Sequence, residues 1–390
     1  MNYPTYKLSE VADILDSFRK PINSTERTKR IQGKTENKLY PYYGATGQVG
    51  LIDEYLTDGE YVLVGEDGAP FLEPFKNKSY IIRGKAWVNN HAHILSGKKD
   101  VLSNQYLNYF LNSFDYRNYV NGTTRLKLTQ GNLTQIPIPL PPLPTQHAIV
   151  SRIETLFAEL DKAVQHLCTA QQQLKTYRQA VLKAAFEGCD KFEKIIKHFD
   201  VTGGLTKNSQ REKFPVKMPY LRVANVYYNR LDLSEIKEIG VQESEIKEKL
   251  LKKDDLLFVE GNGSKEQIGR VAIWNGSIEN CLHQNHIIKG RPLGTTLSKF
   301  ALYYFISDFG REQIIKVASS TSGLYTLSTE KVRNLNVPAC SISEQQRIVA
   351  EIENRLSQAE AVEASIERAL QQAEALRQSI LKKAFNGELI

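Results

Sequence analysis

The stretch TQHAIVSRIETLFAELDKAVQHLCTAQQQLKTYRQAVLKAAF, Thr145–Phe186, contains neither proline nor glycine. Apolar residues recur along it at alternating steps of four and three: Ile149, Ile153, Leu156, Leu160, Ala163, Leu167, Ala170, Leu174, Tyr177, Val181 and Ala184. A period of about 3.5 held over roughly five heptads is the pattern of a coiled-coil seam, not of an ordinary surface helix. Pro144 before it and Gly188 after it mark the two ends. At about 1.5 Å per residue the helix is a rod of roughly 60 Å with an apolar stripe to cover.

A partner lies in the same chain. With the numbering shifted by 199, Ser343–Phe385 overlies the first segment without a gap. Gln146, Ile149, Val150, Ile153 and Glu154 become Gln345, Ile348, Val349, Ile352 and Glu353, and Gln172-Gln173 becomes Gln371-Gln372. Arg178-Gln179, Leu182-Lys183, Ala185-Phe186 and Gly188 become Arg377-Gln378, Leu381-Lys382, Ala384-Phe385 and Gly387. Upstream, Leu128-Thr129, Leu133, Ile136, Ile138 and Pro139 match Leu327-Ser328, Val332, Leu335, Val337 and Pro338. Two unrelated heptad helices would share spacing but not these identities. The chain is a tandem duplication of one unit, a globular part followed by a long helix. The second seam then runs through Ile348, Ile352, Ile366 and Ile380, and Ser343-x-x-Gln346 has the form of a capping box opening it.

A length of 390 residues gives each globular part enough chain to bury its own core. Hydrophobic residues at 41% and charged residues at 24% place it among soluble globular proteins. No 18-residue apolar run occurs and the first residues do not form a signal peptide, so no membrane partner and a cytoplasmic location are expected. Cys168, Cys189, Cys281 and Cys340 form no C-x-x-C pair, which argues for reduced thiols and against zinc or a disulfide framework. The net charge of +7 is unevenly placed. Residues 1–143 carry 17 Lys and Arg against 14 Asp and Glu, and residues 189–342 carry 23 against 18. The helical segments are close to neutral, with 5 against 4 in residues 144–188 and 6 against 8 in residues 343–390. Basic globular parts suggest a polyanion, and neutral helices suggest protein contacts.

The expected organisation is therefore α+β: mixed globular parts at 1–143 and 189–342, alternating with long helices at 144–188 and 343–390 that pack as an antiparallel coiled coil. In the first part, Leu8–Phe18 reads as a short helix and Lys20–Lys38 as a basic loop. Strands are expected at Val49–Ile52, Tyr61–Val64, Tyr80–Ile82 and Ala92–Leu95, then a helix at Gln105–Phe114. The Pro-rich run Ile136–Pro142 is too rigid for an internal strand and leads extended into the helix. The second part repeats the order, with strands at Tyr220–Val226, Leu256–Val259, Gly269–Trp274 and Asn285–Ile288, and a helix near Leu297–Ile306. Asp58–Val64 parallels the approach to Leu256–Val259, and His93-Ile94 parallels His286-Ile287.

No enzyme motif is present. Gly65-x-x-Gly68 and Gly261-x-Gly263 lack the rest of a phosphate-loop pattern and read as tight turns. His91, His93, His283 and His286 have no companion Cys or carboxylate at metal-site spacing and read as strand histidines, so no metal is expected. There is no G-x-S-x-G, no H-E-x-x-H, and no Asn- or Asp-Pro-Pro-aromatic motif of the kind used on a flipped base. What each globular part does carry is cations beside Tyr, Asn, Ser and Thr, the residue types that hold phosphates and read base edges. In the first these are Arg27, Lys29, Arg30, Lys34, Tyr42 and Tyr43, with the loop Thr123, Thr124, Arg125 and Lys127. In the second they are Arg222, Asn225, Tyr227, Tyr228 and Arg230, then Asn262, Ser264 and Lys265, and the loop with Ser322 and Tyr325.

The whole chain resembles the specificity subunit of type I restriction–modification systems. The resemblance rests on IPIPLPPLPTQHAIVSRIE with LKAAFEG and on VPACSISEQQRIVAEIE with LKKAFNGEL, each following a variable globular part. The second entry departs from the pattern, with Ala339-Cys340-Ser341 where Pro-Pro is usual. The resemblance implies a non-catalytic reader of double-stranded DNA, whose two target recognition domains each read half of a bipartite, asymmetric site. It implies helices that fix the unread spacer and dock two modification subunits, which bring S-adenosylmethionine and methylate adenine. A restriction subunit then completes the cleaving complex. A protein-binding coiled-coil scaffold and a self-contained histidine-dependent enzyme are the alternatives.

Overall fold

The computed structural model describes residues 3–321 and 323–390, which fall into two compact units, Met1–Thr169 with Ile366–Ile390, and Ala170–Ser365. Two helices of 44 residues, Leu143–Phe186 and Ile342–Phe385, each contribute a segment to both units. The first starts earlier than expected and takes Pro144 into its opening turn, where a missing N–H costs nothing. The second is capped by Ser341, whose Oγ accepts from the Glu344 N–H at 3.3 Å, two residues ahead of the expected Ser343 box. Gly188 and Gly387 follow the last turns at φ +89° and +73°, a left-handed stop that glycine takes without strain.

Within each unit the helical segments run antiparallel. In the first, Ile149 and Ile153 share one core with Ile380, Leu381 and Ala384, while Arg377 pairs with Asp161 and lies 4.3 Å over the Phe157 ring. In the second, Leu182 and Phe186 share a core with Ile348, Val349 and Ile352, and Arg178 bonds Glu363 at 2.6 Å. The seam is narrower than the periodicity predicts. A single heptad column, Ile153, Leu160, Leu167, Leu174 and Val181, mirrors Ile352, Ala359, Ile366, Ala373 and Ile380. Leu167, Leu174 and Leu156 are only half-buried, Ala163 and Ala184 are exposed, and Tyr177 is 41% exposed. Two helices alone cover one column each; closure is complete only near the ends, where a globular part adds a third layer.

Those ends are bolted by repeated aromatics. Phe385 meets Tyr106 and Phe110 edge-on at 5.2 and 5.4 Å in the first unit, and Phe186 meets Phe300 and Tyr304 at 5.4 Å each in the second. Each contact adds about 0.5–1.5 kcal/mol beyond the burial of its rings. The receiving helices are Asn104–Ser113 and Ser298–Ile306.

The first globular part is built on a six-stranded sheet ordered Ala12–Ile14, Ala92–Gly97, Thr57–Gly65, Ser79–Val88, Tyr40–Gly44 and Gly47–Ile52. The single parallel contact sets Tyr42 and Tyr43 beside Trp87 and Val88. Two expectations need correction. Leu8–Val11 is one helical turn, after which Ala12–Ile14 pairs with Leu95–Gly97, because buried Ala12 and half-buried Ile14 flank exposed Asp13 at strand period. The basic loop is in fact helical over Ser24–Ile31, capped by Asn23, which accepts from the Glu26 N–H at 2.8 Å. The Pro-rich run does lie at an edge, where Pro137–Pro139 pairs with Thr5–Lys7 alone.

In the second globular part the sheet is split. Phe199–Gly203, Ile287–Pro292, Leu256–Val259 and Val271–Ile273 form four strands, and Lys237–Val241, Val216–Leu221 and Leu282–His283 form three. Tyr220 and Leu221 lie parallel to Leu282 and His283, reproducing the parallel contact of the first part. The expected strand Tyr220–Val226 stops at Leu221, where Asn225 folds the chain into a 3-10 turn. Among the described residues no helix is long and apolar enough to cross a membrane, and no group of three metal-ligating side chains assembles.

Candidate nucleic-acid interface

Two backbone frames, one in each unit, correspond bond for bond. At the end of Thr57–Gly65, the Glu66 N–H donates to the His91 carbonyl at 2.8 Å, and the Glu66 carbonyl accepts from Leu128 N–H at 2.7 Å. At the end of Leu256–Val259, Glu260 donates to the His286 carbonyl at 2.9 Å and accepts from Leu327 at 2.7 Å. His286 therefore corresponds to His91. The expected parallel with His93 is off by two residues, because the hairpin bonds set the register and His93 faces the core position that Ile288 takes in the second unit. Next to the frame, Asp67 bridges Lys127 as Gly261 pairs with Thr326, and Gly68 bonds Leu126 as Asn262 pairs with Tyr325.

Every side chain inside that frame differs between the units. Asp67, Gly68, Arg125, Leu126 and Lys127 in the first stand where Gly261, Asn262, Leu324, Tyr325 and Thr326 stand in the second. In the first, Asp67 is 2.6 Å from His91 and 2.9 Å from Arg125, which projects outward with 62% of its side chain exposed. Behind it, Glu66 bonds Arg19 at 2.5 Å and Lys127 at 3.0 Å. Burial pushes the Glu66 carboxyl up, but these two cations outweigh it and hold it below the usual carboxylate range. His93 is fully buried, with Nδ1 2.6 Å from Asp16 and Nε2 2.9 Å from the Leu128 carbonyl, and so fixes the base of the loop. Thr123 and Thr124 are exposed at the loop tip. In the second, His286 reaches Glu260 at 2.8 Å and is half exposed. Ser264 is drawn into its own turn, its Oγ donating to Glu266 at 2.5 Å, and Lys265 beside it is exposed.

Away from the frame, the remaining candidates separate into free and occupied groups. Lys29 is exposed and makes no ion pair among the described residues. Arg30 is held by Asp53 at 2.6 Å and Glu54 at 2.8 Å, and Lys34 by Asp53 at 2.5 Å, so their charge is largely cancelled. Hydrogen bonding from Lys34 and Arg30 in turn holds the Asp53 carboxyl low. Arg27 stacks 4.8 Å over Tyr42, itself buried with its hydroxyl donating to the Ile22 carbonyl at 3.2 Å, and Tyr43 packs against Tyr80. In the second unit Tyr227 is flanked by Arg230 at 4.6 Å and Arg270 at 5.1 Å, and Arg311 lies 5.1 Å over Tyr228. Tyr228 donates to the Glu266 carbonyl at 2.5 Å, and Arg222 is paired with Glu235 at 3.1 Å. Asn225 is 3% exposed and spends its amide inside the fold, accepting from Arg222 N–H and donating to the Asp232 and Glu235 carbonyls. It has no polar group left for a base. Ser322 lies outside the described residues.

Asp67, His91, Glu260, His286, Arg270 and Arg311 were absent from the sequence-based nucleic-acid candidates. The signal for the first four was the shared Glu and Gly-x-Gly or Gly-x-x-Gly setting after each apolar strand; Arg270 and Arg311 are separated from their tyrosines by tens of residues and left none.

A model of the type I restriction modification DNA specificity domain matches residues 2–167 and 196–372. A putative type I restriction enzyme specificity subunit of Haemophilus influenzae is 28% identical over 360 residues, spanning 89% of this chain and 86% of the relative. The EcoKI specificity subunit of Escherichia coli K12 is 28% identical over 302 residues, 73% of this chain and 65% of its own length. Two solved structures share the fold over 99% of this chain. One, from work on complex assembly and conformational transition of a type I R-M system, has a TM-score of 0.69 at 16% identity over 98% of its own chain. The other, the HsdS subunit from Thermoanaerobacter tengcongensis, has a TM-score of 0.57 at 15% identity over 97% of its own chain. With the family match covering both globular parts and much of both long helices, the chain belongs to the type I restriction modification DNA specificity family.

Proposed function

We propose that this chain supplies the DNA sequence specificity of a type I restriction–modification complex, each globular part reading one half of a bipartite, asymmetric site. The observation that carries this reading is the pair of frames: identical backbone bonds from Glu66 to Leu128 and from Glu260 to Leu327, with all five side chains between them exchanged. A scaffold under packing constraint alone would have no reason to keep the frame and vary its outward groups. Two readers of different bases do.

The helices set the length of the unread gap and dock two modification subunits. Support for two equivalent docking surfaces comes from the repeat. Gln172, Gln173 and Lys183 recur as Gln371, Gln372 and Lys382, and all six are exposed, so packing inside the chain does not explain their identity. A partner that binds twice does. S-adenosylmethionine and adenine transfer belong to that partner, which flips the base out of the duplex. A restriction subunit adds cleavage, in the cytoplasm.

The test is to map methylated adenines in cells expressing the chain with its modification subunits, then to exchange residues 1–143 for those of a relative. The expected outcome is that one half of the methylated site changes and the other does not; a change in both halves would overturn the two-reader model. Binding of the assembled complex to its site should also fall steeply with salt, since a reader that touches many phosphates releases their counterions. A salt-independent affinity, or none, would favour the scaffold.

A further inference from the structure

We infer that Gln146 and Gln345 are positioning residues that determine how strictly the protein discriminates the length of the unread gap between half-sites; the inference rests on the two-reader function proposed above. Gln146 is fully buried in the first turn of its long helix. Its Nε2 donates to the Val101 carbonyl at 2.8 Å and the Pro141 carbonyl at 2.9 Å, and its Oε1 accepts from the Ser103 N–H at 2.9 Å. Gln345, 1% exposed, makes the same three bonds in the second unit: to the Thr295 carbonyl at 3.3 Å, to the Cys340 carbonyl at 3.0 Å, and from the Leu297 N–H at 2.8 Å.

Each amide thus ties together three segments of its own unit: the first turn of the long helix, the extended entry before it, and the turn that opens the helix carrying the aromatic seat. The apolar neighbours Ile149 and Val150, or Ile348 and Val349, supply cohesion but no direction, because apolar contacts tolerate small rotations. Three hydrogen bonds from one buried planar amide fix both distance and angle, and with both donors used there is no second way to satisfy them. The clamp survives in the second unit although the Pro-Pro entry does not. The entry sequence can change; the buried glutamine and its three bonds are kept.

A residue that only stabilised the fold would, when removed, weaken binding to every DNA alike. A positioning residue would let its globular part rock on its helix and so admit gaps of the wrong length. The experiment uses Gln146→Met and Gln345→Met, singly and together, in the complex assembled with the modification subunits. Duplexes carry the mapped half-sites separated by the native gap or by a gap one base pair longer or shorter. The quantity read is the ratio of affinities for native and altered gaps, which does not depend on the fraction of protein that folds. We expect each single variant to lower that ratio roughly tenfold, the scale set by leaving partly buried backbone groups unpaired, with base preference inside each half-site unchanged. A ratio equal to wild type in both single variants would overturn the inference. If the wild-type complex recognised no bipartite site, the proposed function would fail instead, and the two failures are distinct.

Discussion

The first globular part has one unbroken strand, Ser79–Val88, where the second has two short ones, Val271–Ile273 and Leu282–His283, separated by a stretch in which Gly276 and Asn280 take positive φ. One sheet becomes two, yet both parts keep the parallel contact, the frame at the site and the aromatic seat for a long helix. What the duplicated units share is therefore the connection between a loop pair and a helix end. The sheet is a means to that connection and differs between the units without breaking it.

The largest expected effect tests whether the two units are seated on their helices alike. Ile153 and Ile352 are repeat mates, both with no exposed surface. Ile153→Asp and Ile352→Asp each bury an unpaired carboxylate and should each cost about 3–5 kcal/mol. Leu167→Asp, at the half-buried middle of the column, should cost about 1–2 kcal/mol, because its carboxylate reaches water. Urea denaturation of the three variants gives the comparison. Equal losses at Leu167 and Ile153 would show the helix pair to be closed throughout, and a large difference between Ile153 and Ile352 would show that the second entry, without its Pro-Pro pair, has loosened its unit.

A smaller effect separates the two readers by chemistry. Arg125 projects from the first frame, and the second frame holds Leu324 there. Arg125→Ala should cost about 1–3 kcal/mol against the correct base in one half-site. Competition binding with single-base changes across both half-sites measures it. A uniform loss over all sequences would make Arg125 a phosphate contact, and a loss in the other half-site would break the assignment of frames to halves.

Arg125 is legible in the sequence as a candidate, but its place in a frame where the second unit holds Leu324 is not, and the reason is physical. The long helices were legible because Ile149 to Val181 obey one period and recur at Ile348 to Ile380, so a local rule is written twice. The site depends on pairings across long separations. Nothing local in Glu66-Asp67-Gly68 says that Leu126 and Lys127 will lie alongside it, and nothing in Asn225 says that its amide will be used by its own loop. The helix Ser24–Ile31 was missed for a different reason: every residue before Ile31 is polar, none of the eight is buried, and only the Asn23 cap and the charge order mark it.

The smallest effect concerns one position where the second sheet holds a titratable side chain and the first does not. His283 occupies the place of Val88 beside the parallel strand, is fully buried, and has Nδ1 2.9 Å from the Ile287 carbonyl. Burial, with the nearby Lys289 cation, pushes it down to about 3 from its ordinary 6.5. The folded second unit thus holds a neutral imidazole that the unfolded chain would protonate below 6.5. Between 6.5 and 3 the unfolded state binds more protons, so stability rises with pH across that window and falls as the solution is acidified, by about 1.4 kcal/mol per pH unit at most. Exchange of strand amides in Val216–Leu221, corrected for its intrinsic pH dependence, should therefore quicken about fivefold from pH 6.5 to 5.5, and Tyr40–Gly44 should lack this component. His283→Val, which installs the residue of the first unit, should abolish the quickening. If the acid sensitivity persisted in that variant, its source would not be this ring.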